Sequence, residues 1–178
     1  LPHAARRNPD ITYMILDNAI YGLTKGQTWP TSPFGMVTST RLTGLEDPPL
    51  DPLRMFLAYG VSFVARGFSS DVKGVARLVQ AAVEHRGFSI IQLISPCPTF
   101  NQVITFDFMK ERVVPIPEDH DPTNLDSAFR LALDQDHYYT GVFYRNDRLP
   151  TMEDKLDAQG RATMDKQPRT LDALIAQY

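Results

Sequence analysis

Three short apolar runs, rich in β-branched and aromatic side chains, stand at separate points of the chain: residues 11–16, 61–66 and 88–94. Each run predicts a β-strand, and the first, bounded by Asp17 and Asn18, predicts a buried one. Apolar side chains between the second and third runs repeat at helical spacing up to Gly87, namely Val72, Val75, Val79, Ala82 and Val83. The central pattern is therefore strand, helix, strand.

Turn and cap signals divide the flanking segments. Residues 4–7 resemble the last turn of an amphipathic helix, which the Asn-Pro pair at positions 8–9 ends. Asp51 followed by Pro52 begins a short helix that Gly60 ends. Towards the end of the chain the pattern predicts, in order, a helix, a short strand and two weak helices: residues 125–133, 141–145, 152–156 and 171–175.

Two loops contain unusual residue types. Residues 22–52 are rich in Gly, Pro, Ser and Thr without a stable period, which predicts a long irregular segment of the functional kind. The third strand runs into Ser95, Pro96, Cys97 and Pro98, and prolines do not fit the centre of a sheet ladder. Cys97 is therefore expected in a loop at the carboxyl end of that strand.

Strands that alternate with helices predict an α/β fold. Right-handed crossovers give a mostly parallel sheet with helices on both faces, and ligands bind at the carboxyl ends of its strands. The loops after Leu16 and Ile94 both follow strands of this kind. We therefore expect the functional residues in these two loops.

Composition narrows the classes of function. The chain has 178 residues, 43% of them hydrophobic and 22% charged, which fits one globular domain. Its net charge is −3 and its basic residues are scattered, so we expect no nucleic-acid partner. No apolar run approaches the roughly 20 residues of a membrane span. The single cysteine excludes an internal disulfide and fits a reducing compartment, so we expect a cytoplasmic protein.

The loop after the first strand has the groups that a metal-diphosphate site requires. Magnesium prefers six oxygen ligands, and Asn18 offers a side-chain carbonyl while Ile20 offers a main-chain one. Gly22 permits close approach of the backbone, and Thr24 offers a hydroxyl and an N–H to phosphate oxygens. On residue types alone, an Asp-Asn pair after a strand is more common in a plain turn.

The segment from position 8 to 27 resembles the thiamine-diphosphate subunits of 2-oxoacid:ferredoxin oxidoreductases, and the run YGLTKGQ at positions 21–27 is highly specific to them. The resemblance extends through FVARGFS, GF, SPCPTFN and GVFYR, at residues 63–69, 87–88, 95–101 and 141–145. Members of that family have an upstream Gly-Asp-Gly motif and cysteines that bind most of a [4Fe–4S] cluster. Neither is present here, so we expect that the chain lacks the N-terminal part of the fold.

The resemblance also implies a division of the chain and a set of site residues. Residues 1–148 would form the C-terminal part of the thiamine-diphosphate-binding domain, and residues 149–178 a tail that packs on a partner subunit. Asn18 and the carbonyl of Ile20 would bind magnesium. The diphosphate would be lined by four residues, Tyr21, Gly22, Leu23 and Thr24. Leu23 and Lys25 would face the 2-oxoacid or coenzyme A, both of which are anionic.

Cys97 has two interpretations. A lone cysteine is more often a small buried hydrophobe than a ligand. The flanking prolines restrict the backbone, and the family places its fourth iron–sulfur ligand at this position, which favours a cluster ligand. The histidines lack metal-type spacing and are assigned no chemistry: His3, His85, His120 and His137. Trp29 and Phe34 are expected to pack either over the cofactor or against a partner.

The activity implied by the resemblance is oxidative decarboxylation of a 2-oxoacid to an acyl-CoA. The cofactor does the chemistry, so no side chain of this chain is predicted to be catalytic, and the [4Fe–4S] cluster passes electrons to ferredoxin. The aminopyrimidine is activated from another subunit, which implies an alpha subunit as partner. Residues 149–157 resemble the 2-oxoglutarate branch of the family, and this resemblance favours 2-oxoglutarate over pyruvate. Two alternatives stay open: a non-redox thiamine-diphosphate enzyme such as a decarboxylase or an acetolactate-synthase relative, and an inactive fragment or assembly module.

Overall fold

The computed structural model describes residues 1–134, 136–164 and 175. The helices are α1 (Pro2–Arg7), α2 (Pro52–Ala58), α3 (Val72–Glu84), α4 (Phe106–Lys110), α5 (Leu125–Leu133) and α6 (Met152–Met164). The strands are β1 (Ile11–Asp17), β2 (Ile20–Tyr21), β3 (Gln27–Thr28), β4 (Phe63–Phe68), β5 (Phe88–Ile94), β6 (Val113–Pro115) and β7 (Tyr138–Arg145).

Five strands form the main sheet, in the order β1-β5-β4-β7-β6. The pairs β1 with β5, β5 with β4, and β6 with β7 are parallel, and only β4 with β7 is antiparallel. Strands β2 and β3 form a separate antiparallel pair. The predicted α/β class with a mostly parallel sheet is confirmed.

Helices cover both faces of the sheet. Successive side chains of β4 and β5 point to opposite faces, and both faces are apolar, so each face packs against helices. Val64 and Ile90 pack with α2 and α5 in one apolar core, which also contains Phe143 of β7. Phe63 and Ile91, one position away on the same strands, pack with α3 on the other face. Every residue of β4 and β5 is buried, as expected for parallel strands covered on both sides.

The prediction that the first strand is buried is wrong. Ile11, Tyr13 and Leu16 are 53, 46 and 69% exposed. In the part of the chain that the structure describes, β1 pairs only with β5 and therefore lies at an edge of the sheet. Its apolar composition does not distinguish an edge strand from a central one.

Other differences concern elements that local patterns define weakly. The last strand begins at Tyr138 instead of 141, since pairing with β4 and β6 extends it. The five-residue α4, the three-residue β6 and the short β2–β3 hairpin were not predicted. Their few residues give no measurable period, so contacts in the folded chain define them.

The first residues after position 148 form hydrogen bonds with the N-terminal part of the same chain. The main-chain carbonyls of Leu149 and Pro150 accept hydrogen bonds from Asn8 Nδ2, at 3.2 and 3.3 Å. Helix α6 follows, and Asp154 near its start bonds Arg86 at 2.9 Å. Packing of the tail on a partner stays a prediction, and of the weak helix predicted at 171–175 only Ile175 belongs to the described residues. No described helix is long and apolar enough to cross a membrane.

Candidate functional site

The loops after β1 and β5 meet at the carboxyl edge of the sheet because these two strands are neighbours. Ser95 N donates to the carbonyl of Asp17 at 2.8 Å, which continues the strand pairing into the loops. A Cβ added to Gly22 would lie 3.6 Å from Cys97 Sγ and 3.7 Å from the Asn18 side-chain amide. The structure therefore brings together Asn18, Gly22 and Cys97.

The metal-loop candidates lie in a tight turn. Asn18 Oδ1 accepts from Ile20 N at 3.1 Å, and the Asn18 carbonyl accepts from Asn101 Nδ2 at 2.9 Å. Ala19 has a φ of 54°, in the left-handed region that non-glycine residues rarely adopt. Asn101 thus connects the β5 loop to the β1 loop, and sequence reasoning assigned it no such role.

The other predicted site residues lie further out. Leu23 is 99% exposed and Tyr21 42% exposed, with the Tyr21 ring packed edge-on against Trp29 at 4.5 Å between centroids. The Thr24 hydroxyl bonds the Gln27 side chain. Lys25 is exposed and has a φ of 72°. The turn therefore presents its tip to solvent, away from the half-buried contact between Asn18 and Gly22.

A cavity of about 530 Å³ lies beside the turn, which is within the roughly 300–1,000 Å³ range of small-molecule sites. Asp17 and Asn18 line the cavity, and so does the 70%-exposed Phe34 of the irregular segment at residues 22–52. Asp134 also lines the cavity, and a hydrogen bond from His137 lowers its pKa to about 2. Trp29 is not among the lining residues.

Three buried polar side chains on the neighbouring strands β1, β5 and β4 are linked by hydrogen bonds, and they also line this cavity. Gln92 Nε2 donates to Asp17 Oδ2 at 2.8 Å, and Arg66 Nε donates to Gln92 Oε1 at 3.1 Å. Burial lowers the pKa of Arg66 from its usual value, yet a guanidinium stays charged in proteins. Sequence reasoning missed these roles, although two polar residues within otherwise apolar strands were the available signal.

Two of the histidines, His85 and His120, form hydrogen bonds within the fold. His85 Nδ1 lies 3.0 Å from Asp147 Oδ1, and its Nε2 lies 2.9 Å from Ser62 Oγ. His120 bonds Ser127 and the carbonyl of Phe143. Among the described residues, no group of three or more His, Cys, Asp or Glu side chains is placed to hold a metal ion.

The side chains present fit part of a magnesium-diphosphate site and part of an iron–sulfur site. Asn18 has the amide oxygen that suits magnesium, and this Oδ1 accepts from Ile20 N on the same turn. The Asn18 amide nitrogen and Cys97 Sγ lie 3.7 and 3.6 Å from the position of a Cβ on Gly22. Cys97 is half-buried, so its thiol is neither enclosed in the core nor fully in solvent. One thiol supplies one of the four ligands of a [4Fe–4S] cluster.

Two family models match the chain and meet at the end of β5. The family described as thiamine pyrophosphate enzyme, C-terminal TPP binding domain, matches residues 1–93. The family that describes the C-terminal part of the pyruvate ferredoxin oxidoreductase beta subunit matches residues 97–160, beginning at Cys97. Together they cover both loops that meet at the site.

Known proteins similar to this chain include the beta subunit of 2-oxoacid:ferredoxin oxidoreductase from Saccharolobus solfataricus, 30% identical over 93% of this chain and 58% of the relative. The 2-oxoglutarate oxidoreductase subunit KorB of Mycobacterium tuberculosis is 39% identical over 65% of this chain and 32% of its own. A solved 2-oxoglutarate:ferredoxin oxidoreductase from Magnetococcus marinus, with 2-oxoglutarate, coenzyme A and succinyl-CoA bound, superposes with a TM-score of 0.90 at 39% identity. That match covers 99% of this chain and 60% of the solved chain. The chain thus spans less than two thirds of these proteins.

Proposed function

The chain belongs to the family of thiamine-diphosphate-binding beta subunits of 2-oxoacid:ferredoxin oxidoreductases, and on that premise we propose that it forms one wall of the cofactor site in an enzyme that oxidatively decarboxylates a 2-oxoacid to an acyl-CoA. The observation that carries the proposal is the contact of the two loops. Asn18 and Cys97 both lie within 4 Å of the position of a Cβ on Gly22. The proposed metal-diphosphate loop after β1 and the Cys97 thiol in the loop after β5 therefore lie at the same edge of the sheet.

In this proposal the turn after β1 binds the metal and the diphosphate. The Asn18 side chain and the main-chain carbonyl of Ile20 would hold the magnesium ion, which prefers oxygen ligands of this kind. Tyr21, Gly22, Leu23 and Thr24 line the diphosphate. When bound, thiamine diphosphate supplies the carbanion stabilisation that decarboxylation requires. The residues of this chain bind and orient it.

Leu23 and Lys25 are proposed to face the substrates. Leu23 is 99% exposed, and Lys25 is exposed on the same turn, so both are accessible to a ligand. An ammonium group attracts a carboxylate or a phosphate without demanding one geometry. The 2-oxoacid and coenzyme A both have such groups.

We propose 2-oxoglutarate as the substrate, with pyruvate as the alternative. Several similar proteins are named for 2-oxoglutarate, among them the KorB subunits of Mycobacterium tuberculosis and Archaeoglobus fulgidus. The solved Magnetococcus marinus protein has 2-oxoglutarate and coenzyme A bound. These names support the substrate class.

Cys97 is proposed as a ligand of a [4Fe–4S] cluster that passes electrons to ferredoxin. Its thiol is half-buried and lies 3.6 Å from the position of a Cβ on Gly22, so a cluster there would lie near the proposed thiamine-diphosphate site. An alpha subunit of the same enzyme is the proposed partner, and the enzyme is proposed to be cytoplasmic. The beta-subunit names of the relatives support a second subunit.

The test is reconstitution of the complete beta subunit with its alpha subunit, thiamine diphosphate and magnesium. We expect coenzyme-A-dependent reduction of ferredoxin with 2-oxoglutarate, and a lower kcat/KM with pyruvate. Cofactor binding without iron and without visible absorbance would instead favour the non-redox thiamine-diphosphate enzyme. Absence of cofactor binding in the complete complex would favour the inactive assembly module.

A further inference from the structure

Three neighbouring parallel strands each place one polar side chain on the same face of the sheet, near their carboxyl ends. Asp17 ends β1, and Gln92 and Arg66 are paired across β5 and β4. The three residues are 8, 5 and 8% exposed, so the chain of hydrogen bonds from Arg66 through Gln92 to Asp17 is buried. Buried polar groups of this kind have a specific arrangement because each bond fixes the next.

Asp17 connects this buried chain to the two loops around the candidate site. Its Oδ1 accepts from Ala19 N at 3.1 Å and from Thr31 Oγ1 at 2.6 Å, while Oδ2 accepts from Gln92. Ala19 lies between the proposed magnesium ligands Asn18 and Ile20. The carboxylate therefore bonds both the backbone of the turn at residues 18–20 and the Thr31 side chain of the irregular segment at residues 22–52.

The hydrogen bond from Ala19 N to Asp17 helps to hold Ala19 in its left-handed conformation. A non-glycine residue at a φ of 54° is strained, and such conformations persist where surrounding contacts fix them. Besides the bond from Ala19 N to Asp17, the Ala19 carbonyl accepts from Ser32 Oγ at 2.7 Å. Both contacts tie the turn to Asp17 or to the loop that Asp17 binds.

Gln92 is the amide link between two opposite charges. Within residues 1–134 and 136–164, neither Asp17 nor Arg66 forms a direct ion pair. The guanidinium carbon of Arg66 instead lies 5.7 and 5.4 Å from the ring centroids of Tyr138 and Phe143. Because Arg66 donates to Oε1, the Gln92 amide must present its N–H to Asp17, which fixes the orientation of the carboxylate.

We propose that Asp17 is a positioning residue for the magnesium ligands Asn18 and Ile20, and that Gln92 and Arg66 orient it. This inference rests on the proposed function, because it assigns a purpose to the same site. Magnesium demands near-ideal octahedral geometry, so a turn that is fixed before binding favours it. Partners that orient metal ligands typically contribute about 10–100-fold to metal affinity.

The experiment measures the apparent Kd of Mg²⁺ at saturating thiamine diphosphate, by calorimetry on the complete beta subunit assembled with its alpha subunit. We expect Asp17→Asn to raise this Kd by about tenfold or more, and Gln92→Leu to raise it by a smaller factor. Arg66→Lys keeps the charge and should have the least effect of the three. A Kd increase that becomes smaller from Asp17 to Gln92 to Arg66 is expected if Gln92 and Arg66 act on the magnesium ligands through Asp17.

The matched control is His85→Gln, which disturbs another buried polar network at the opposite ends of the same strands. It should lower the Tm while leaving the Mg²⁺ Kd within about twofold of the wild type. Equal Kd increases in the control and in Asp17→Asn would overturn the proposal, since loss of stability would explain both. If Asp17→Asn does not fold, Gln92→Leu decides, and an unchanged Kd in that variant also overturns it. A wild-type complex that binds no thiamine diphosphate and Mg²⁺ contradicts the proposed function itself.

Discussion

At the scale of single residues, the site depends on a few polar atoms at the carboxyl edge of the sheet. Asn18 is the proposed donor of an amide oxygen, Asn101 Nδ2 donates to the Asn18 carbonyl at 2.9 Å, and Cys97 Sγ lies 3.6 Å from the position of a Cβ on Gly22. Two of these three polar side chains are amides, which do not exchange protons as an acid or a base would. Their arrangement fits the binding and orientation of a cofactor that does its own chemistry.

Replacement of Asn18 by alanine removes one proposed magnesium ligand. We expect Asn18→Ala to weaken magnesium-dependent binding of thiamine diphosphate by at least about tenfold, because the oxygen ligand is lost from the octahedron. Calorimetry on the complete beta subunit measures it. Asn146→Ala, which changes an asparagine whose side chain bonds local groups, serves as control. An unchanged affinity in Asn18→Ala would contradict the ligand assignment.

Replacement of Cys97 by serine tests the iron–sulfur ligand. We expect Cys97→Ser to lose the visible absorbance and the reduced-cluster resonance of the complete enzyme while the fold is retained, because the side chain is half-buried and serine is nearly isosteric. Circular dichroism checks the fold. Ser95→Ala in the same loop should keep the cluster signal. A full-strength resonance in Cys97→Ser would mean that the thiol has a structural role only.

At the scale of elements, the turn between α3 and β5 packs closely against the end of α1 and the residue before β4. Gly87 joins α3 to β5 with a φ of 130°, and an added Cβ would lie 2.7 Å from the side chain of Asn8 and 2.8 Å from Ser62 Oγ. Asn8 itself ends α1 at a φ of 55° and accepts from Phe88 N at 2.8 Å. Three elements therefore meet at a point with no room for a side chain.

The element-scale prediction is a loss of stability in Gly87→Ala. Both the positive φ and the short contacts oppose a methyl group, so we expect a decrease of roughly 1–3 kcal/mol in the free energy of unfolding. Urea unfolding of the complete beta subunit measures it. Gly160→Ala in α6 is the control, since a Cβ there meets nothing within 4 Å and should be neutral or slightly stabilising. Equal midpoints for the two variants would refute the packing argument.

At the scale of the whole molecule, the two ends of the strands have separate polar networks. The carboxyl ends hold the candidate site, whereas the amino ends are closed by Asn8, Ser62, His85 and Asp147. This second network joins α1, the starts of β4 and β5, the end of α3 and the segment before α6. Because its side chains bond one another across distant parts of the chain, the network stabilises the fold.

That network predicts a pH dependence of folding. The His85 side chain is fully buried, and burial lowers its pKa from the usual value of 6.5. His85 takes up a proton at a higher pH in the unfolded chain than in the folded one. The contribution of neutral His85 to the free energy of unfolding is therefore complete above pH 6.5 and decreases as the pH falls below it. We expect the free energy of unfolding, measured by urea titration, to decrease from about pH 7 to about pH 5.5, by at most about 1.4 kcal/mol per pH unit for this group. His85→Gln should flatten that slope, and an unaltered slope would exclude His85 as its source.

Local signals in the sequence were enough to define most elements and the class of the fold. The run from Phe88 to Ile94 is bounded by Gly87 and by the prolines after Ser95, and β5 has these limits because apolar runs and breakers are local signals. The Asp51 side chain caps α2 as the Asp-Pro pair predicted, at 3.0 Å from Arg54 N. The magnesium assignment of the turn after β1 came from the family resemblance of residues 8–27 and stays a prediction, because on residue types alone an Asp-Asn pair is more common in a plain turn.

Which of these elements are neighbours depends on the folded chain and could not be read from the sequence. The bond between Gln92 and Asp17 spans 75 positions, and no periodicity encodes such a pairing. In the folded chain β1 lies at an exposed edge of the sheet, β7 runs antiparallel to β4, and Cys97 Sγ lies 3.6 Å from the position of a Cβ on Gly22. Local propensity defines an element through contacts within a few residues, whereas a site at the edge of a parallel sheet forms from loops that meet only after the strands have paired.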